Sequence, residues 1–150
     1  MHPFLPALQE GLDDLHLALT EGQQAQLLAY MDLIGKWTKV YNLTAVRDAN
    51  EMLTHHLLDS LAVIAPLRRE AARLNLPQGQ TPLNLLDVGA GAGLPGIVIA
   101  ITCPEVSVTC VDTVAKKAAF IQQVAATLKL PNLKGLHARV ESLTQPYDVV

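Results

Sequence analysis

Positive charge is missing from the start of the chain. Residues 1–35 contain five acids and no Lys or Arg, so all 11 basic residues follow them. The formal net charge of -3 argues weakly against a nucleic-acid partner. The distribution argues the other way, because residues 113–140 carry five basic side chains and no acid. Phosphate binding needs such a local basic stretch, although a solvated helix face has the same composition.

Long apolar runs are also missing. No stretch of about 18 uncharged apolar residues is present, so no transmembrane helix is expected. The first residues lack the basic start and the apolar segment of a secretory signal. The only two cysteines, Cys103 and Cys110, match no zinc-binding spacing and read as small buried residues in a reducing compartment. We therefore expect a cytoplasmic protein without a metal site.

The first part of the chain, residues 1–75, predicts a helical segment. Thr20 and Gln23 match a capping box, and apolar residues recur behind them at helical spacing. Trp37 continues this spacing, which favours a place in the core over stacking on a nucleic-acid base. A polar turn is predicted at residues 42–44.

The remainder, residues 76–150, alternates strands with helices. This alternation predicts a parallel sheet with right-handed crossovers, and so an α/β, Rossmann-like domain behind the helical segment. Because the chain stops inside the last predicted strand, we expect a sheet truncated after about four strands and a longer parent protein. Strands are predicted at residues 83–88, 106–111, 133–138 and 147–150, helices at 96–101 and 114–128, and a linker at 77–82.

A glycine-rich loop, DVGAGAGLPG at residues 87–96, follows the first predicted strand and precedes a helix. The context favours ligand binding over a tight turn without a ligand. Asp87 ends the strand just before the first glycine. Its carboxylate suits the cationic methionine part of S-adenosylmethionine and would repel a dinucleotide pyrophosphate.

Another carboxylate, Asp112, ends the second predicted strand. It is placed to accept hydrogen bonds from the two hydroxyl groups of a ribose. Nicotinamide enzymes share this feature, so it does not discriminate between the cofactors. A P-loop is excluded, because no G-x-x-x-x-G-K-[ST] is present.

Several stretches together carry a family resemblance. The phrase around Asn42-Leu43-Thr44, joined to the D-V-G-x-G-x-G-L-P-G loop, resembles the ribosomal RNA small-subunit methyltransferase G family, also called glucose-inhibited division protein B. The similarity extends over roughly residues 20–150. The matching stretches are residues 37–48, 56–60, 86–96, 111–112 with Lys116, Lys117 and Phe120, and 138–141.

The resemblance implies S-adenosylmethionine-dependent N7-methylation of one guanine in the decoding region of bacterial 16S rRNA. The expected partner is this rRNA or the small ribosomal subunit, and a monomer is expected. In that family, positions matching Gly89, Leu94, Val140 and Glu141 contact the cofactor, and Lys116 and Arg139 match basic positions suited to RNA. The complete predicted cofactor site comprises Asp87, Gly89, Gly91, Gly93, Leu94, Asp112, Val140 and Glu141.

No catalytic side chain is predicted, because guanine N7 has a lone pair and no proton, so a general base is unnecessary. A non-catalytic module that binds RNA or protein is one alternative function, and an NAD-dependent oxidoreductase is a less favoured one. His55 and His56 face different sides of a helix and so make a poor metal site. For His56, Asp59 and Ser60, helix packing or capping is favoured over a role near the site.

Overall fold

The computed structural model describes residues 2–41, 56–73, 83–91 and 93–150, with the side chains of 38–41 left out. The predicted turn at 42–44, His55 and the linker at 77–82 lie outside these residues. Within these described residues, four helices precede the sheet, as predicted for this part of the chain. They are α1 (Leu5–Asp14), α2 (Glu21–Tyr41), α3 (Leu58–Leu61) and α4 (Ile64–Arg73).

Three parallel strands follow in the spatial order β1-β2-β3. The first three predicted strands and both predicted helices of this region are present within one residue of their expected bounds at either end. The α/β, Rossmann-like class is therefore confirmed. The strands are β1 (Leu83–Val88), β2 (Val106–Asp112) and β3 (Leu133–His137), and the crossover helices are α5 (Gly96–Thr102) and α6 (Ala115–Thr127).

The prediction of a regular fourth strand at residues 147–150 is wrong, although this segment lies where that strand would pair, beside β1. Val149 forms a single parallel bridge with Leu85 on the free side of β1. The amide of Leu86 donates to the Val149 carbonyl at 2.9 Å, and that of Asp148 donates to the Asn84 carbonyl at 2.8 Å. The segment therefore lies beside the first strand, as a doubly wound sheet requires.

Helix α2 begins at the predicted capping box and then enters the core. The Thr20 amide donates to Gln23 Oε1, and the Gln23 amide donates to Thr20 Oγ1, each at 3.0 Å. The ring of Trp37 packs 4.8 Å from that of Phe120 in α6. This contact supports the prediction that Trp37 belongs to the core.

Side chains of the first helices also cap the helices of the sheet. Gln23 Nε2 donates to the carbonyls of Ile101 and Thr102, and an Arg68 guanidinium nitrogen donates to the Thr102 carbonyl at 3.1 Å. These are terminal carbonyls of α5, which have no partner within the helix. The helices and the sheet thus share one hydrophobic core. The division between residues 75 and 76 stays a prediction.

Both cysteines are buried and free, as predicted for small core residues. Burial raises the pKa of the Cys103 thiol and, more strongly, that of Cys110. Both thiols are therefore held in the neutral, unreactive form. Among the described residues, no helix is long and apolar enough to span a bilayer.

Candidate cofactor-binding site

The glycine loop connects β1 to α5 at the carboxyl edge of the sheet. Gly89 and Gly91 have φ angles of 68° and 58°, in the left-handed region that glycine adopts without steric cost. A Cβ at either position would meet nothing within 4 Å. Glycine is therefore required here by the backbone conformation, and the space beside the loop is open to a ligand.

Asp112 closes the loop from the neighbouring strand. Its Oδ2 accepts a hydrogen bond from the Gly91 amide at 3.0 Å, and its Oδ1 accepts one from the Val114 amide at 2.8 Å. The side chain is buried, with 7% of the residue exposed. Each oxygen keeps a second lone pair. The predicted contact with a ribose is therefore compatible with this structural role.

Asp87 lies under the start of α5. Its Oδ2 accepts a hydrogen bond from the Gly96 amide at 3.0 Å. Burial raises the pKa of this carboxyl from 3.8 to about 6, although the Gly96 amide acts in the opposite direction. A group with such a pKa is mostly ionised at neutral pH. It gains from a nearby cation, which offsets the cost of its partial desolvation.

A cleft of about 310 Å³ opens where the three strands end. Its walls come from all three strand ends and from the 3-10 helix Val140–Ser142. Val88 and Val140 supply exposed apolar surface, and Glu141 adds a carboxylate. The lining residues are Val88, Gly89, Val111, Asp112, Thr113, Ala138, Arg139, Val140 and Glu141.

The predicted cofactor residues divide into two groups. Four of them, Gly89, Asp112, Val140 and Glu141, line the cleft itself. The other four are Asp87, Gly91, Gly93 and Leu94, which shape the adjoining loop and do not line the cleft. Gly93 closes a turn by donating to the Ala90 carbonyl, and the Ile97 side chain fills the space where its Cβ would be. Leu94 packs against the core.

Four lining residues were missed by the sequence analysis: Val111, Thr113, Ala138 and the exposed Val88. Each is next to a predicted site residue or strand end, so position alone was the available signal. His137 was missed as well. Its ring contacts the Thr113 carbonyl, and this contact depends on the register of β2 and β3.

The predicted RNA contacts lie near the same edge. Arg139 lines the cleft, and Lys116 is exposed in the first turn of α6, which starts just after β2. Neither His56, Asp59 nor Ser60 lines the cleft. Within the described parts of the chain, no group of three or more His, Cys, Asp or Glu side chains is placed to hold a metal ion.

Comparison with known proteins assigns the family. A family model described as rRNA small subunit methyltransferase G matches residues 23–150. The chain belongs to this family. The match covers the helices from α2 onward, the glycine loop and the whole cleft. The resemblance inferred from the motifs is thus confirmed.

Individual members of the methyltransferase G family are close in sequence. A ribosomal RNA small subunit methyltransferase G from a Polaromonas species is 68% identical over 143 residues, which cover 95% of this chain and 62% of the relative. The protein of that name from Albidiferax ferrireducens is 68% identical over 150 residues, covering 96% of this chain and 66% of the relative. The chain therefore spans slightly less than two thirds of these relatives.

Proposed function

We propose that the cleft binds S-adenosylmethionine, and that the protein containing this chain methylates N7 of a guanine in the decoding region of bacterial 16S rRNA. One observation carries the proposal. Gly89 follows β1, Asp112 ends β2 and Val140 begins the 3-10 helix after β3, and the three meet in one cleft. The cleft lies within the stretch that matches the methyltransferase family. Ligands of doubly wound sheets bind at this edge.

The donor set fits this cofactor. The open backbone at Gly89 and Gly91 accommodates close approach of a ligand, and the carboxylate of Asp87 suits the positive charge of the methionine part. Asp112 and Glu141 offer acceptors for ribose hydroxyls and for the adenine amino group. Val88 and Val140 offer apolar surface for the adenine ring.

When bound, S-adenosylmethionine supplies an electrophilic methyl group on a sulfonium ion. The residues of the chain have to orient that methyl toward N7 and to exclude water. Guanine N7 carries a lone pair and no proton, so no side chain has to act as a base. The catalytic contribution is therefore expected from alignment of the two reacting atoms.

The RNA itself has to present a single base to this edge of the sheet. The base is expected to be unstacked, as in recognition of RNA loops. Lys116 and Arg139 would contact phosphates and set the position of the RNA. We place this reaction in the cytoplasm, on rRNA or the small ribosomal subunit, with a monomeric enzyme.

The test is methyl transfer to isolated small subunits and to free 16S rRNA, with S-adenosylmethionine labelled in the methyl group. Chemical cleavage at 7-methylguanine then maps the product. The proposal expects label at one guanine in the decoding region. Label on another atom or another RNA would contradict it. RNA binding that falls with salt, with no transfer even by the full-length protein, would instead favour a non-catalytic module.

A further inference from the structure

The side chain of His137 has no role in the proposed function, but it contacts a residue that lines the cleft. Nε2 of His137, the last residue of β3, lies 3.0 Å from the carbonyl oxygen of Thr113. A carbonyl oxygen only accepts hydrogen bonds, so Nε2 carries the proton and donates. Thr113 lines the cleft. The bond therefore fixes part of the wall from the far strand.

This bond continues a short series of contacts across the strand ends. His137 pairs with Asp112 in the parallel register, and the amide of Ala138 donates to the Asp112 carbonyl at 3.1 Å. The Asp112 carboxylate in turn accepts hydrogen bonds from the backbone amides of Gly91 and Val114. The connection thus runs from β3, through the turn at residues 112–114, to the glycine loop.

The turn needs such support, because Thr113 and Val114 are themselves exposed. An exposed turn without a tertiary bond samples other conformations, and a ligand must then select the competent one at a cost in affinity.

We propose that His137 is a positioning residue for cofactor binding: its Nε2–H holds the turn at residues 112–114 in the shape that receives the nucleoside part of the cofactor. The inference rests on the proposed function in naming the ligand. The hydrogen bond between His137 and Thr113 is itself present in the ligand-free chain.

Two substitutions of similar polarity separate the bond from general packing. His137→Gln places an amide nitrogen about where Nε2 lies, so it keeps the donor. His137→Asn reaches only about as far as Nδ1 and loses the donor. Affinity for S-adenosylhomocysteine is measured for both variants and for the unmodified chain. Amide hydrogen exchange of Gly91 and Val114 is measured without ligand, together with the melting temperature.

We expect His137→Asn to bind about fivefold more weakly and to speed exchange at Val114, while His137→Gln stays within about twofold of the unmodified chain. Equal affinity and equal exchange in all three proteins would overturn the inference. Equal losses in both variants, with a lower melting temperature, would overturn it too, since packing would then explain the effect. If the unmodified chain fails to bind S-adenosylhomocysteine, the proposed function fails. The exchange rates alone then decide whether the His137–Thr113 hydrogen bond stabilises the turn.

Discussion

The backbone amide of Gly91 donates a hydrogen bond to the Asp112 carboxylate at 3.0 Å, and this bond joins the glycine loop after β1 to the end of β2. The other oxygen of the same carboxylate accepts a hydrogen bond from the Val114 amide, just before α6. One side chain thus fixes two loops that border the cleft. The shape of the cleft depends on this carboxylate before any ligand arrives.

Asp112→Ala is expected to destabilise the fold by about 2 kcal/mol, because two amides lose a charged acceptor. Binding of S-adenosylhomocysteine should fall at least tenfold, roughly the effect of one such bond. Asp148→Ala is the matched control, since Asp148 also accepts a backbone amide, that of Asn84, away from the cleft. Thermal unfolding and calorimetric titration measure both effects. Similar ligand affinities for the two variants would contradict the role of Asp112.

Asp87 is expected to make both stability and ligand binding depend on pH. Its pKa is raised in the fold from 3.8 to about 6, so between these values the folded chain binds more protons than the unfolded chain. The stabilisation from this group is thus fully present below 3.8 and is lost as the pH rises through about 6. The loss should be roughly 1–2 kcal/mol after allowance for solvent screening.

Ligand binding should respond in the opposite direction. The ionised carboxylate attracts the cationic ligand, so the affinity for S-adenosylmethionine should rise between pH 5 and pH 7. Asp87→Asn keeps an acceptor for the Gly96 amide but carries no charge. It should show weaker binding with a flat profile over this range, and unfolding without the acidic slope. A wild-type profile that is equally flat would refute the assignment.

Gly96 has to be a glycine for a reason that the open loop glycines do not share. A Cβ at this position would lie 2.5 Å from Cys110 Sγ and 2.8 Å from Asp87 Oδ2. Gly96→Ala should therefore cost about 1–3 kcal/mol, as overpacking does, and should displace the Asp87 carboxylate.

Gly35→Ala provides the contrast within helix α2, where a Cβ would meet nothing within 4 Å. The substitution should stabilise the chain by about 0.5–1 kcal/mol, because alanine favours the helix. Chemical denaturation compares the two. The same sign of change at both positions would argue against the close packing of α5 on β1.

The basic residues beside the cleft should contribute to RNA binding in a uniform, salt-dependent way. Lys116→Ala and Arg139→Ala should each lower the slope of log affinity against log salt by about 1 on a 16S rRNA fragment. Affinity for S-adenosylhomocysteine should change little for Lys116→Ala. Lys134→Ala, at the other end of β3, is the control. An unchanged salt slope in all three variants would place the RNA elsewhere.

The sequence predicted the sheet region more closely than it predicted the cleft. Strands and crossover helices follow from local periodicity and from the glycine loop, and these signals located β1, β2 and β3 within one residue. The fourth segment reads as a strand by its residues, but only Val149 pairs with Leu85. Pairing depends on tertiary neighbours, which local propensity does not contain.

The site shows the same limit. Gly89 and Asp112 were identified because glycine conformation and strand-end carboxylates have recognisable patterns. The bonds from Asp112 to Gly91 and Val114 were not anticipated, since they join loops 21 residues apart or depend on a single turn. His137 gave no signal, because its contact with Thr113 arises only when β2 and β3 are in register.

Calorimetric titration of the 150-residue chain with S-adenosylhomocysteine, with NAD as the control ligand, tests the central claim most directly. We predict binding of one molecule of S-adenosylhomocysteine per chain, weakened at least tenfold in Asp112→Ala and kept in Asp148→Ala, and no binding of NAD. Binding of NAD alone, or of neither ligand, would contradict the claim that this cleft is a site for the methyl donor.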